Sequence, residues 1–307
     1  MIGIGIDEYK QEVIRRYNLG WNLMKGKKVI ENGKVKKKPD VPDFKEYFDS
    51  KKRLPLEELL MHIEQPDALI GLVNGLQPNN EWIFSIDHDT KNIAVKRFIL
   101  SIWPKSLYQE TPRGFHIFIK IKGDPKEIRE SIQNLGMNKQ IGKKEGLKIE
   151  FRMMNCMTVF IGEGYGPLQG EMVEMQLKDV VKCFRATVDA QFLIEKLEEY
   201  YVSGNRDPIT FRLSGMLAES RVPESRALLI VDALASYFND EERKDRLRVT
   251  RDSYKDYRQG GPLNTRLEEV IPKETAEEIY RYFGFKGRRK EDGNNDNNNN
   301  NNNDKDK

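Results

Sequence analysis

The chain has 307 residues, room for one large or two ordinary domains. Hydrophobic residues make up 38% and charged residues 33%, so a core can form beneath a heavily charged surface. A net charge of +3 leaves the choice of partner to local clusters, and two cysteines exclude a disulfide framework or an unaided four-cysteine zinc site. The histidines, His62, His88 and His116, lack zinc-ligand spacing, so no zinc is expected. The lack of a run of about 18 apolar residues predicts no transmembrane helix. The start, Met1 to Asp7, is too short and acid-flanked for a signal peptide, so a reducing, cytoplasmic location is expected.

Residues Glu8 to Leu23 carry helical spacing, with Val13, Ile14, Tyr17 and Leu19 as the expected core side. Gly20 turns the chain into a short strand, Trp21 to Met24. Lys25, Lys27, Lys28, Lys34, Lys36, Lys37 and Lys38 follow, interrupted by Asn32-Gly33, a hairpin-turn dipeptide. A lysine-rich hairpin is either a solvated edge that resists aggregation or a surface that tracks phosphates. Pro39 to Pro42 reads as a linker and Phe44 to Phe48 as a short helix. Leu56 to Ile63 is a better helix, with Pro55 at its first position and His62 as a surface or packing residue. Ala68 to Val73 is a buried strand closed by Asn74-Gly75.

Trp82 to Ile86 is β-branched and aromatic without Gly or Pro, the pattern of a buried strand. Ile93 to Ile102 is helical and stops at Trp103-Pro104. Thr111 to Gly114 is a tight turn into a strand, Phe115 to Ile121. Phe115, Ile117 and Ile119 take one face of it; His116, Phe118 and Lys120 take the other. Pro125 to Leu135 is helical. Leu147 to Met153 alternates with period two, and Thr158 to Ile161 is expected to pair with it as the next strand. Gly162 to Gly170 is loop. From Val188 helix follows helix: Leu193 to Tyr201, Ile209 to Ser220, Glu224 to Phe238, Asp240 to Tyr257 and Ala276 to Phe283. The expected division is an α+β domain over 1–186, a small all-α domain over 187–285 and a disordered asparagine-rich tail over 286–307.

Chemistry gathers first at Ser85-Ile86-Asp87-His88-Asp89. Asp87 and Asp89 are two apart, so a strand reaching both turns them the same way. Adjacent carboxylates repel and resist desolvation, which a cation offsets; all-oxygen sites suit Mg²⁺ or Mn²⁺. The same run also serves as a turn after a strand. His116 follows Pro112-Arg113-Gly114 and shares its face with Lys120, a cationic, anion-facing combination. Glu150 and Arg152 share the polar face of a strand, where an ordinary salt bridge is the alternative.

In chain order these sets stand as Ile86-Asp87-His88-Asp89, Arg113-Gly114-Phe115-His116 and Ile149-Glu150-Phe151-Arg152. The order resembles the archaeo-eukaryotic primase superfamily. It looks most like the bifunctional primase-polymerase replication proteins of archaeal plasmids and related mobile elements. That family carries an acid-x-acid motif, a small-residue turn ending in histidine, and a third acid after a hydrophobic residue. Leu19 to Leu23, Ala68 to Gly75, Tyr200 to Arg206, Leu213-Ser214-Gly215 and Asp240 to Leu247 extend the likeness over both parts. The third acid is Glu150 where many relatives have Asp. Two cysteines leave no room for the zinc-binding stem of some relatives. No G-x-x-x-x-G-K-[S/T] loop occurs, so unwinding is expected from a separate helicase.

The resemblance implies a mixed or antiparallel, RRM-like sheet with flanking helices, followed by a helix bundle. It implies a DNA primase and polymerase that makes and extends primers by two-metal nucleotidyl transfer. Asp87, Asp89 and Glu150 would hold Mg²⁺ or Mn²⁺, and His116 would contact the incoming triphosphate. Arg113, Lys120 and Arg152 are, by their facing, the residues expected to balance phosphate charge. Lys25, Lys27, Lys28, Lys36 and Lys37, with Arg206 and Arg212, are the expected template contacts. The partners are single-stranded DNA and nucleoside triphosphates, with no membrane. Two rivals stand beside this reading. A rolling-circle initiator endonuclease needs a His-hydrophobic-His pair, which His116-Ile117-Phe118 does not complete, although Tyr200-Tyr201 offers a nucleophile. A non-catalytic nucleic-acid module would turn three acids toward phosphates without a metal.

Overall fold

The computed structural model describes residues 5–48, 52–89, 91–144 and 146–286; the asparagine-rich tail from 287 lies outside them. The chain opens with α1 (Ile6–Asn18), β1 (Leu23–Glu31), β2 (Lys34–Pro39), a 3-10 turn (Phe44–Tyr47) and α2 (Leu56–Ile63). Next come β3 (Leu69–Leu76), β4 (Trp82–His88), α3 (Ile93–Ile102), β5 (Leu107–Glu110), β6 (Phe115–Lys122) and α4 (Pro125–Asn134). Short strands β7 (Gln140–Ile141), β8 (Ile149–Arg152), β9 (Cys156–Ile161) and β10 (Glu174–Gln176) complete the sheet. Helices α5 (Leu177–Leu197), α6 (Arg206–Glu219), α7 (Glu224–Tyr237), α8 (Arg243–Arg258) and α9 (Lys273–Phe283) end the described chain. The class is α+β, as expected.

Local chemistry explains several boundaries. Asn32 (φ 52°) and Gly33 (φ 71°) both take left-handed backbone, the turn that matches the twist of a two-residue hairpin. Pro125 fills the first position of α4, and the Asp124 side chain accepts from the Lys126 and Glu127 amides. Leu19, expected in the core, is 53% exposed, because α1 ends at Asn18 and Leu19 is its cap.

The sheet has two halves that meet at one corner, a short contact between β3 and β4. Leu76 and Gly75 of β3 pair with Trp82 and Ile83 of β4. Beyond that short contact the two strands take different partners. β3 lies between β1 and β9, and β1 pairs with β2. β4 lies between β6 and β8. Thr158 to Ile161 was expected beside Leu147 to Met153, but β9 pairs with β3 and β8 with β4 and β7. The turn between β8 and β9 crosses the corner, with Asn155 at φ 55°, and so moves the chain from one half of the sheet to the other. All pairings are antiparallel except β10 with β6.

Each strand face has its own core. Phe84, Ile86, Ile117, Ile119, Ile149 and Phe151 pack with α3, α4 and α5 on one side. Ile83, Phe118, Ile70, Leu72 and Phe160 pack with Val13, Trp21 and Leu59 on the other. The alternation read along Phe115 to Ile121 is therefore correct. The first core continues without a break through Leu213, Ile230 and Ile279 into the helical part. Residues 186 and 187, the expected domain boundary, lie inside α5. Phe184 of that helix meets Phe151 of β8, with ring centroids 5.0 Å apart, while Leu193 and Leu197 further along are buried among the helices.

Candidate functional site

Asp87 is placed by the middle of the sheet. In β4 it stands opposite His116 of β6 on one side and Glu150 of β8 on the other. Directly opposed residues have Cα atoms about 4.5–5.5 Å apart, so three polar side chains share one patch of one face. Ser85, two residues back, stands opposite Arg152. Its small side chain leaves the Arg152 arm room to reach diagonally: the guanidinium is 2.5 Å from Asp87 Oδ2 and 2.9 Å from Glu150 Oε2. Beneath them lies a buried polar floor. The Asn74 amide donates to Thr158 Oγ1 at 2.7 Å, and Ser85 Oγ lies 2.6 Å from the same hydroxyl.

Charge fixes the protonation of this group. Burial alone would raise the Asp87 pKa, but the His116, Arg152 and Lys37 charges overcome it and hold the carboxyl well below the usual range. Burial opposes the Arg152 charge, and Asp87 and Glu150 overcome that in turn and raise its pKa. His116 Nε2 lies 3.0 Å from Asp87 Oδ1. That oxygen has no aligned hydrogen-bond donor among the described residues, nor has His116 Nδ1 an aligned partner.

Asp89 follows the end of β4 and is met by Arg113, 2.6 Å away. Arg113 sits on the turn between β5 and β6. There the Thr111 amide donates to Gly114 O and the Gly114 amide to Thr111 Oγ1, both at 2.9 Å. His88, between the two acids, points to the opposite face. It is buried against Phe115, and its Nδ1 donates to Lys148 O at 2.8 Å. Burial lowers its pKa.

A cleft of about 730 Å³ opens over Asp87, Asp89, Arg113, His116 and Arg152. Its other wall comes from across the corner: Lys28, Lys36 and Lys37 of the hairpin, Met157 and Val159 of β9, and Glu163 and Tyr165 from the next loop. Tyr165 is 5% exposed, with its ring centroid 6.1 Å from that of His116.

The expected residues divide by place. Asp87, Asp89, His116, Arg113 and Arg152 line the cleft, and Glu150 joins them through Arg152. Lys120 does not come to it. It lies four residues further along β6, about 13 Å of strand, and pairs with Glu81 at 2.7 Å and Glu174 at 3.0 Å. Of the lysines expected on the template, Lys28, Lys36 and Lys37 line the cleft, while Lys25 pairs with Glu58 and Lys27 with Asp40. Arg206 bonds Glu241 and Phe238 O, and Arg212 bonds Glu269, all within the helical part. Tyr201 is buried there, 2.9 Å from Thr210 Oγ1, and neither it nor Tyr200 lines the cleft.

Tyr165 and Glu163 fall within the stretch expected as loop, Gly162 to Gly170. The signal was the spacing Gly162-Glu163-Gly164-Tyr165-Gly166. Gly164 has φ 81°, and a Cβ there would lie 3.0 Å from Pro112 Cγ, so the loop presses closely on the Arg113 turn.

A hard divalent cation can be tested against the donors present. Asp87 Oδ1 is a buried carboxylate oxygen without an aligned donor, and Glu150 and Asp89 are its nearest acidic neighbours along the strands, so the residue types fit. Among the described residues no three His, Cys, Asp or Glu side chains converge on one ion position. Each acid instead turns to a guanidinium. No family model and no curated protein matches the chain.

Proposed function

We propose that the chain is a primase-polymerase nucleotidyltransferase that makes and extends primers on single-stranded DNA. One observation carries the reading: Asp87 stands between His116 and Glu150 across neighbouring strands, with Asp89 at the strand end, on the floor of a cleft rimmed by cations. Acids ringed by arginine and lysine suit a metal-bound polyanion better than either a bare cation or a bare anion. Antiparallel β4, β6 and β8, with helices behind them, support the RRM-like catalytic reading, and α6 to α9 stand for the helix bundle.

Asp87, Glu150 and Asp89 would hold Mg²⁺ or Mn²⁺, whose chemistry is to activate the attacking hydroxyl and neutralise the triphosphate. The protein's own groups do the positioning. The lowered pKa of Asp87 keeps it anionic at neutral pH, a ligand and not an acid. Arg152 draws Asp87 and Glu150 to one guanidinium and Arg113 holds Asp89, and their planar forks match phosphate oxygens equally well. His116, beside Asp87, orients the triphosphate. Phosphoryl transfer requires chiefly such positioning and electrostatic stabilisation.

Incubation with single-stranded DNA, labelled nucleotides and Mg²⁺ or Mn²⁺, with and without primer, tests this directly. Metal-dependent incorporation is expected, and no incorporation with either metal overturns the reading. A non-catalytic DNA-binding module is favoured by one observation. Arg152 and Arg113 already neutralise the acids without a metal, so a phosphate backbone meets no bare negative patch. That alternative predicts metal-independent DNA binding and no product.

A further inference from the structure

We propose that Lys37 holds the phosphates of the incoming nucleotide, not the template, and releases Tyr165 to do so. The identity of the ligand as a nucleotide rests on the reading above; the cationic pocket does not.

The hairpin has two faces. Lys27, Lys36 and Lys38 occupy one register face and each meets a carboxylate: Asp40, Glu31 and Glu31. Lys28 and Lys37 oppose each other on the second face. Lys28 is neutralised by Asp67 at 3.2 Å and Glu163 at 2.9 Å. Among the described residues Lys37 ion-pairs with no carboxylate. Its ammonium donates to the Tyr165 hydroxyl and lies 4.8 Å from the ring centroid.

The residue is exposed because the cleft is open, yet the ammonium stands within the cleft walls. Partial desolvation there, then the Arg113 charge, lowers its pKa. A phenol is a weak partner for such a cation. A phosphate oxygen carries its own charge, so its bond to the ammonium adds an ion–ion attraction that the phenol lacks. Five cations, Lys28, Lys36, Lys37, Arg113 and Arg152, line the cleft, but among the described residues all except Lys37 are committed to acids. Lys37 is the cation there with a neutral partner. Tyr165 is held by the tight Gly164–Pro112 contact, whereas the lysine stem is flexible, so the lysine is the member that moves. The ligand class that fits is a polyphosphate, with the triphosphate of a nucleotide its natural form in this cleft.

The test is calorimetric titration of inorganic tripolyphosphate into the full chain without divalent metal. The parent, Lys37→Ala, Lys37→Arg, Tyr165→Phe and a surface control, Lys126→Ala, are compared. Lys37→Ala is expected to weaken binding about tenfold or more, with Lys37→Arg retaining most of it. Tyr165→Phe and Lys126→Ala are expected to bind as the parent does. In the incorporation assay Lys37→Ala should raise the nucleotide KM while template affinity and its salt slope stay at the parent value. No tripolyphosphate binding by the parent, or equal binding by Lys37→Ala, overturns the proposal. So does a lost template slope with an unchanged nucleotide KM. Tyr165→Phe weakened as much as Lys37→Ala would overturn the release of Tyr165. A parent that binds tripolyphosphate through Lys37 but makes no DNA sinks the polymerase reading alone. Incorporation by Lys37→Ala at the parental KM sinks the Lys37 assignment alone.

Discussion

Buried Asp87 and half-buried Arg152 form a pair whose charges depend on each other, which gives the carboxyl a measurable signature. The folded carboxyl has a pKa below its unfolded value, so its stabilisation is complete above the unfolded pKa of about 3.9. As pH falls below that value the unfolded chain takes up the proton first, and stability is lost toward the folded pKa. In metal-free buffer the parent Tm should fall on this acid limb, and Asp87→Asn should flatten it. Equal acid limbs would show that the carboxyl is not held ionised. In the nucleotidyl-transfer reading the same variant should lower incorporation about a hundredfold or more, since the metal loses its central ligand. His116→Ala differs in kind. It should raise the nucleotide KM about tenfold to a hundredfold, the loss of one charged hydrogen bond, and spare DNA binding. Steady-state kinetics with varied nucleotide reads it, and an unchanged KM rejects the role.

Strand contacts set the width of the cleft. Gly71 of β3 faces Met157 of β9, and a Cβ there would lie 2.3 Å from Met157 Cγ and 3.1 Å from Thr158 O. The missing side chain lets β9 and its cleft-lining Met157 approach β3. Gly71→Ala should therefore destabilise by about 1–3 kcal/mol through overpacking, and Gly71→Val by more. Urea denaturation measures it, and a neutral Gly71→Ala would show that Met157 swings away freely. The hairpin behaves as the Asn32-Gly33 dipeptide requires, but its lysines do not act as one surface. Strand alternation sends Lys28 and Lys37 to one side and Lys27 and Lys38 to the other, where carboxylates take them up.

The sheet and the helical part share one core. Arg97 of α3 donates to Ser236 O at 3.0 Å and Tyr237 O at 3.3 Å, at the end of α7. Breaking these charged bonds with Arg97→Ala should cost about 1–3 kcal/mol, since both carbonyls lie at a helix end that needs donors. Thermal unfolding of the full chain should be a single transition, followed by calorimetry. Two separated transitions would show that the parts are independent. A fragment ending near Ala186 cuts through α5, so a truncation that tests the helical part for priming must retain that helix through Leu197.

Periodicity and turn chemistry were legible in the chain without a structure. Strand alternation placed His116 with Phe118 and away from Ile117, and put Glu150 with Arg152, because side chains on a strand must alternate. Asn32-Gly33, Pro125 and Trp103-Pro104 marked their turns and helix ends through backbone restrictions that act within a few residues. Asp87, His116 and Glu150 could each be placed on a strand for the same local reason. Partnership across the sheet was not. Register decided that Asp87 faces both His116 and Glu150, and the corner at Leu76 and Trp82 sent β9 to β3. The same corner brought Lys37 and Tyr165 over the acids and left Lys120 with Glu81 and Glu174. α5 carried the sheet core into the helices where composition had marked a boundary. These outcomes depend on contacts between segments far apart in the chain, which no local pattern of residues encodes.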